Sequence, residues 1–421
     1  MRGGPALPLL LALAASSAAM ADSDTDALKL ADTTPEETAR ASNWRFFGEP
    51  AVGLVSVRGA DGGEVDTRRL SLGVQGETSQ WHSLRASFAD RWDIQGPPSA
   101  FGQRHANINT LKEGYLSWQA GSDWSADLGR INVLHGVALG YNPTDYFRAG
   151  AIRSIVSVDP ASLKENRLGS AMARGQMLWN GGSVSAMFSP KLAVHDNNAS
   201  FSPDWGATNF QNRGLIALAQ RIGEDVNLGA LLFDDGSHPP QLGLNTIALL
   251  NDSTVAFLEW SGGSGPTQEM QALGSEQKDR FHQRFSTGAS YTTSGNVSLT
   301  FEYEYDGAAL NRSGLDTLLH QSPQAYGQYF LYTANAQELP GRQAVFFYAG
   351  WNDAFVQHLD LSGFARYNLV DHSHLQWAEA RYHLNRVDLA IQWQTDCGDS
   401  TSEFGAAPQS SVWQILLRYF Y

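Results

Sequence analysis

The sequence predicts an all-β fold: a single transmembrane antiparallel up-and-down β-barrel of about 18 strands, with 16 strands as the alternative. Three observations predict it. Apolar and polar residues alternate repeatedly from Trp44 onward, short and long connections alternate between the predicted strands, and the chain ends in a strand rich in aromatic residues. After the N-terminal segment, no stretch approaches the roughly 18 consecutive apolar residues that a transmembrane helix requires.

The N-terminal segment predicts export. Residues 1–21 combine the basic Arg2, an apolar run over 9–15 and the A-x-A pattern at 19–21, which is typical of a signal peptide. No lipobox cysteine stands at this cleavage position, which excludes a lipid anchor there. Residues 22–43 are polar and acidic without apolar periodicity, and we expect a periplasmic tail. The barrel then occupies 44–421.

Period-2 alternation defines the strands. Over 297–306, for example, Val, Leu, Phe and two Tyr residues alternate with Ser, Thr, two Glu and Asp. The predicted strands are 45–57, 65–78, 81–93, 109–120, 123–131, 167–180, 183–192, 212–222, 225–234, 240–250, 253–261, 282–293, 296–306, 341–351, 357–368, 373–384, 386–395 and 411–421.

Connection lengths decide between a membrane barrel and a soluble sandwich. Every other connection is tight, as at 79–80, 121–122, 181–182, 223–224, 251–252, 294–295 and 385. The long ones are 94–108, 132–166, 193–211, 262–281, 307–340 and 396–410. Outer-membrane barrels have short periplasmic turns and long outer loops, whereas a sandwich has no reason to separate its loops in this way.

The last strand supports the same fold. Its apolar face, which includes the terminal aromatic residue, resembles the C-terminal signal that the barrel-assembly machinery of outer-membrane proteins reads. The residues are Trp413, Ile415, Leu417, Tyr419 and Tyr421. Aromatic residues near strand ends, such as Phe46, Trp118, Trp124 and Trp377, are expected to form girdles against lipid and lipopolysaccharide, although some could face the lumen.

Composition excludes several function classes. The formal charge of -14 lacks the basic footprint of a nucleic-acid-binding protein, and the single Cys397 cannot form an internal disulfide. Common catalytic motifs are missing, so we expect no enzyme, no catalytic residue and no cofactor. His372, His374 and His383 favour solvated loop and lumen positions over a metal site.

Taking the polar face of each strand as inward gives a lumen with eight arginines and nine carboxylates. From these we select as selectivity residues Arg69, Arg85, Arg91, Glu113, Arg174, Arg284, Glu302, Glu304, Arg366, Glu379 and Arg381. Two interpretations stay open. The arginines form a ladder that aligns a solute, or they pair with opposing carboxylates and stiffen the wall.

The connection 132–166 is unusually apolar for an exposed loop. We expect it to fold into the barrel and narrow the pore, with a cap over neighbouring outer loops as the alternative. The candidate constriction residues are Tyr141, Asn142, Asp145, Tyr146, Arg148 and Arg153.

A family resemblance rests on this region. Gly129-Arg130, Gly136, Asn142 to Asp145, Leu163 to Glu165 and Leu168 resemble the poorly characterised outer-membrane porins related to the alginate-export barrels. The resemblance implies an 18-stranded barrel with an inward-folded loop. It does not imply alginate, because a polyanion exporter is expected to have a basic lumen.

The expected function is passive diffusion of small hydrophilic solutes across the outer membrane. Selective export or uptake of a saccharide or organic acid is the first alternative. A barrel enzyme or a surface-interaction barrel is the second, and the oligomeric state stays open.

Overall fold

The protein is described by a computed structural model that covers residues 44–59, 62–78, 83–96, 107–197, 199–275 and 278–421. The predicted signal peptide, the predicted tail and the predicted turn at 79–80 lie outside these residues. Eighteen antiparallel strands form one sheet, in which the first strand pairs with both the second and the last. The sheet is therefore a closed barrel, which confirms the predicted fold class with 18 strands.

The strands follow the predicted pattern closely. Their bounds differ from the predicted ones by at most four residues, the largest difference being the end of β11 at Gly265. They are β1 (Trp44–Val57), β2 (Glu64–Glu77), β3 (Leu84–Gln95), β4 (Asn107–Ala120), β5 (Trp124–Ile131), β6 (Ser170–Trp179), β7 (Gly182–Ser189), β8 (Arg213–Ile222), β9 (Val226–Asp234), β10 (Gln241–Asn251), β11 (Thr254–Gly265), β12 (Arg280–Thr292), β13 (Val297–Asp306), β14 (Gln343–Trp351), β15 (Leu359–Asn368), β16 (His374–His383), β17 (Val387–Cys397) and β18 (Gln409–Phe420).

In the described residues, four helices lie in the long connections, to which the sequence analysis assigned no secondary structure. They are α1 (Pro160–Glu165), α2 (Gln268–Leu273), α3 (Arg312–Gln321) and α4 (Pro323–Ala336). Asn311 caps α3 by accepting a hydrogen bond from the Gly314 N–H, and Ser322 caps α4 directly before Pro323. In the described parts of the chain, no helix combines the length and apolarity needed to cross a membrane.

The wall has two chemically different faces. On β13, Phe301 is 54% exposed, whereas Thr300 and Glu302 are buried. On β18, Trp413, Ile415 and Leu417 are likewise exposed on the outward face. An apolar outer face and a polar inner face are characteristic of a transmembrane barrel.

One predicted girdle residue lies elsewhere. Phe46, Trp118 and Trp124 are about half exposed on the outer face, but Trp377 is buried inside the barrel and stacks on Phe364 at 5.6 Å. The expectation for Trp377 was wrong, because inward-facing positions also hold aromatic side chains where a loop packs on them.

The outer loops are numbered here in chain order, and three of them make contacts with the wall or with each other. L3 comprises residues 132–169, L4 comprises 190–212 and L7 comprises 307–342. L3 leaves the sheet after β5, and its end rejoins the wall where the Gly169 N–H donates to the Lys112 carbonyl of β4 at 3.0 Å.

Candidate functional site

L3 is held against the inner wall by two glutamates. The Glu259 carboxylate of β11 accepts hydrogen bonds from the backbone N–H groups of Val137 and Ala138. The Glu302 carboxylate of β13 accepts those of Leu139 at 2.5 Å and Gly140 at 2.8 Å. L3 starts at β5, eight strands before β13 in the barrel order, so the loop reaches a distant part of the wall.

Two glycines permit this close approach. Gly136 has a φ of 97°, and a Cβ atom there would lie 2.5 Å from Glu259 Oε2. A Cβ atom on Gly140 would overlap Glu304 Oε1. Glycine is therefore required at both positions, for backbone conformation at the first and for space at both.

The middle of L3 packs as a hydrophobic core against β6 to β9. Tyr146 stacks on Phe233 of β9 at 4.5 Å, and its hydroxyl lies 2.9 Å from Ser261 Oγ. Phe147 contacts Phe233 edge-on, and the Arg213 guanidinium lies 4.6 Å from the Phe147 ring centre. This part of the lumen is filled with protein.

Two ion pairs also hold the middle of L3 in place. Asp145 forms an ion pair with Arg167 at 2.5 Å, which joins the loop to its own end. Arg148 pairs with Glu338 of L7 at 2.7 Å. The Tyr141 hydroxyl donates to Glu338 at 2.7 Å, and burial raises the pKa of Tyr141 well above its ordinary value, which keeps it a neutral donor.

The predicted constriction residues form the internal framework of L3. Tyr141, Asn142, Asp145 and Arg148 are buried, and Tyr146 is partly buried. Arg153 donates to the carbonyls of Asn109 in β4 and Ser202 in L4, both at 2.9 Å. These side chains shape the loop, whereas other residues face the space that remains.

Among the described residues, two cavities inside the barrel lie on either side of α1. The larger, of about 530 Å³, is lined among others by Arg45, Lys112, Glu113, Leu134 and Lys164. The smaller, of about 250 Å³, is lined among others by Arg69, Trp377, Glu379, Arg381 and Arg418.

Both cavities share one boundary, which consists of Asp159, Ala161 and Glu165 of L3 and Tyr348 of β14. The sequence analysis missed these residues. A signal was present, since Asp159 before Pro160 is a helix-start pattern, and its carboxylate accepts from the Ser162 N–H at 2.9 Å.

The eight inward arginines all have carboxylate partners. The pairs are Arg69 with Glu49, Arg85 with Glu77, Arg91 with Asp93, Arg174 with Asp127, Arg284 with Asp306, Arg366 with Glu304, Arg381 with Glu379 and Arg418 with Glu49. This geometry matches the interpretation in which arginines pair across the wall. Glu302 and Glu304 have no exposed surface, so they contact protein and not pore water.

Glu49 of β1 is a functional candidate that the sequence analysis missed. Its carboxylate lies 2.8 Å from Arg69, 3.2 Å from Arg91 and 2.7 Å from Arg418. The residue alternates with Gly48 and Pro50, so the polar face of β1 was hard to recognise from the sequence.

The described residues contain no group of three or more His, Cys, Asp or Glu side chains arranged to hold a metal ion. His383 lies between Asp388 at 2.9 Å and Asp360 at 3.2 Å.

Comparisons with known proteins identify similar folds. No protein-family model matches the chain, and no curated protein matches it in sequence. Among solved structures, the chain is similar to OccAB1 of Acinetobacter baumannii, with 11% identity and a TM-score of 0.57 over 90% of this chain and 96% of that one.

Two further solved structures give the same result. OccK8 (OprE) of Pseudomonas aeruginosa has 9% identity and a TM-score of 0.53, over 90% of this chain and 98% of that one. A BenF-like porin from Pseudomonas fluorescens Pf-5 has 10% identity and a TM-score of 0.57, with the same coverage. At such identities the likeness shows the fold alone: the closed antiparallel barrel of this chain is similar to that of the BenF-like porin and of the two Occ proteins.

Proposed function

We propose that this protein is an outer-membrane channel for passive diffusion of small hydrophilic solutes, with L3 as its constriction. The observation that carries the proposal is the course of L3 inside a closed barrel. The loop is pinned to Glu259 and Glu302, and cavities remain on both sides of α1. Because residues of α1 line both cavities, this proposal has a solute pass α1 as it crosses the barrel.

In this channel, the charged side chains around α1 determine which solutes pass. Lys112 holds Glu165 at 3.1 Å, while Asp159 and Lys164 line the larger cavity. Positive and negative side chains thus face the same narrow space. Such a mixed lining favours small neutral or zwitterionic solutes over strongly charged ones.

Selective passage of an organic acid is the second candidate. The larger cavity combines Arg45, Lys112 and Lys164 with the apolar side chains of Leu134 and Leu139, but its lining also contains Glu77, Glu113, Asp159 and Glu165. A small anion with an apolar part would therefore have to bind at the cationic side of the cavity, which makes this candidate the weaker one. Export of a polyanion of the alginate type has less support, since the inward arginines are neutralised by wall carboxylates.

Single-channel recording in planar bilayers tests the proposal. We expect a steady open conductance, together with liposome swelling in small sugars that stops as solute size increases. Reversal potentials in asymmetric KCl separate the two candidates, because the organic-acid channel is expected to prefer anions. A barrel that inserts but shows no conductance would contradict both.

We also propose that residues 1–21 are removed on export and that 22–43 stay in the periplasm. The outward face of β18, including Tyr421, is proposed as the signal for the barrel-assembly machinery. Deleting Tyr421 or introducing Tyr421→Asp should lower the membrane yield and leave protein in the periplasm. Normal membrane yield, measured by fractionation, would count against that role.

A further inference from the structure

L4 exposes an unusually apolar surface. Leu192, Val194, Phe201, Trp205 and Phe210 have between 38% and 68% of their surface exposed. In the described part of L4, the exposed formal charges are those of Lys191 and Asp196. A loop that is surrounded by water seldom has this composition, so its surroundings need an explanation.

The inner side of L4 covers an arginine on the outer face of the wall. Leu128 of β5 is 66% exposed, and Arg130, two residues further along the strand, points to the same face because side chains alternate. Arg130 nevertheless has no exposed surface. Its guanidinium donates to the carbonyls of Gly169 at 2.7 Å, Asp204 at 2.8 Å and Trp205 at 2.5 Å.

Several defined contacts hold L4 over Arg130. The Trp205 ring centre lies 5.4 Å from the Arg130 guanidinium carbon. The Asn209 side chain accepts from the Ala171 N–H at 3.0 Å and donates to the Ala171 carbonyl at 2.8 Å, beside β6. Ala207 packs against Leu111 and Leu168. L4 is therefore fastened over the outer ends of β4 to β6, at the rim where Arg153 of L3 also donates to the Ser202 carbonyl.

Two strands beside L4 are short. β5 and β7 have eight residues each, whereas a tilted strand needs about 9–11 to cross the hydrocarbon layer; the neighbouring β4 and β6 have 14 and 10. Leu128 and Phe188 are exposed on the outer face of the two short strands. The apolar surface of L4 continues this apolar outer face beyond the ends of β5 and β7.

We propose that L4 is a lipid-facing flap, which shields Arg130 from the membrane and places Val194, Phe201 and Trp205 against lipid of the outer leaflet. We assign lipid as the partner of this surface because L4 is continuous with the apolar outer wall and carries little charge. A charge on the lipid face of a barrel is unfavourable unless it is covered. The proposal is independent of which solute the channel carries.

Site-directed spin labelling tests the flap. In a Cys397→Ser background, labels are attached at Val194→Cys and, separately, at Phe201→Cys. Ile216→Cys on the outer face of β8 is the lipid control, and Ser237→Cys in the exposed connection after β9 is the water control. The probes are oxygen and a neutral nickel chelate, with the barrel in phosphatidylcholine vesicles and folding checked by heat-modified gel mobility.

If the proposal holds, the labels at 194 and 201 collide with the nickel chelate several-fold less often than the label at 237, and with oxygen about as often as the label at 216. Chelate collisions equal to those at 237 would overturn it, because L4 would then face water. Protection together with spin–spin broadening that disappears on dilution with unlabelled protein would also overturn it, because a second copy would then cover the loop.

Discussion

The lumen has two unlike halves. Along β6 to β13, the inner wall meets L3 and is filled with protein, so that Leu215, Phe233 and Glu302 have almost no exposed surface. Along β14 to β18 and β1 to β4, the wall borders the two cavities. Glu302 binds backbone amides in the filled half, whereas Glu379 pairs with Arg381 at 2.7 Å in the open half.

This contrast indicates that an inward polar face does not by itself identify pore-lining residues. Both halves show the same alternation in sequence, and both supply carboxylates. The role of each carboxylate depends on whether a loop inside the barrel contacts it. The following variants test whether L3 alone creates the difference.

The largest effect is expected from replacing residues 142–155 with a short Gly/Ser linker. This removes the segment that fills the lumen, so single-channel conductance should rise several-fold and larger sugars should enter liposomes. The strands should still assemble, because each doubling of loop length changes the closure free energy by only about 0.6 kcal/mol. A variant that inserts normally with unchanged conductance would place the constriction elsewhere.

Gly136→Leu is expected to widen the pore, but less than the loop replacement does. The new side chain overlaps the Glu259 carboxylate and should detach the amides of Val137 and Ala138, each bond contributing about 1.5–3 kcal/mol. Bilayer recordings should show higher conductance with rapid flicker. Gly150→Ala is the matched control, since Gly150 also has positive φ, 69°, but nothing lies within 4 Å of its Cβ position. Equal recordings from both variants would argue against the Glu259 anchor.

Glu302→Gln and Glu379→Gln compare the two halves directly. Glu302→Gln removes one of two acceptors and should lower the temperature at which the heat-modified gel mobility changes, since a buried amide that loses its partner costs about 1–3 kcal/mol. Glu379→Gln weakens a two-bond ion pair with Arg381, so it should also lower that temperature. It should in addition shift the reversal potential toward anions, because Arg381 borders a cavity and keeps only Asp388 at 3.9 Å. The halves would be equivalent if both variants shifted the reversal potential equally.

The smallest effect is expected at Arg85. Its side chain is 48% exposed and pairs at 3.1 Å with Glu77, which is 46% exposed. Exposed ion pairs contribute about 0–1 kcal/mol, so Arg85→Gln should shift the unfolding temperature by little. Unfolding followed by tryptophan fluorescence checks this. A large loss of stability would show that the pair is part of a wider network.

The fold could be predicted almost completely from the sequence, because a barrel wall repeats one simple rule. Phe301 beside Thr300 is enough to orient β13, and tight turns between long loops give the topology. Helices α3 and α4 were missed, although Asn311 and the Ser322-Pro323 pair are recognisable helix starts.

The site was less predictable, because its contacts join residues far apart in the chain. Glu302 was expected to face solutes, but no sequence pattern shows that the Leu139 and Gly140 amides reach it. The same holds for Arg130, whose outward direction follows from alternation but whose cover by L4 does not. Loop courses, unlike strands, have no repeating rule.

The Glu49 contacts described above cross the seam of the barrel and bear on the order of assembly. Arg69 and Arg91 lie on β2 and β3, which follow β1 directly in the chain, whereas Arg418 arrives on the last strand. The N-terminal strands can thus form the first two ion pairs before the barrel closes. Closure then adds Arg418 to a carboxylate that is already positioned, which favours the correct register between β1 and β18 over a shifted one.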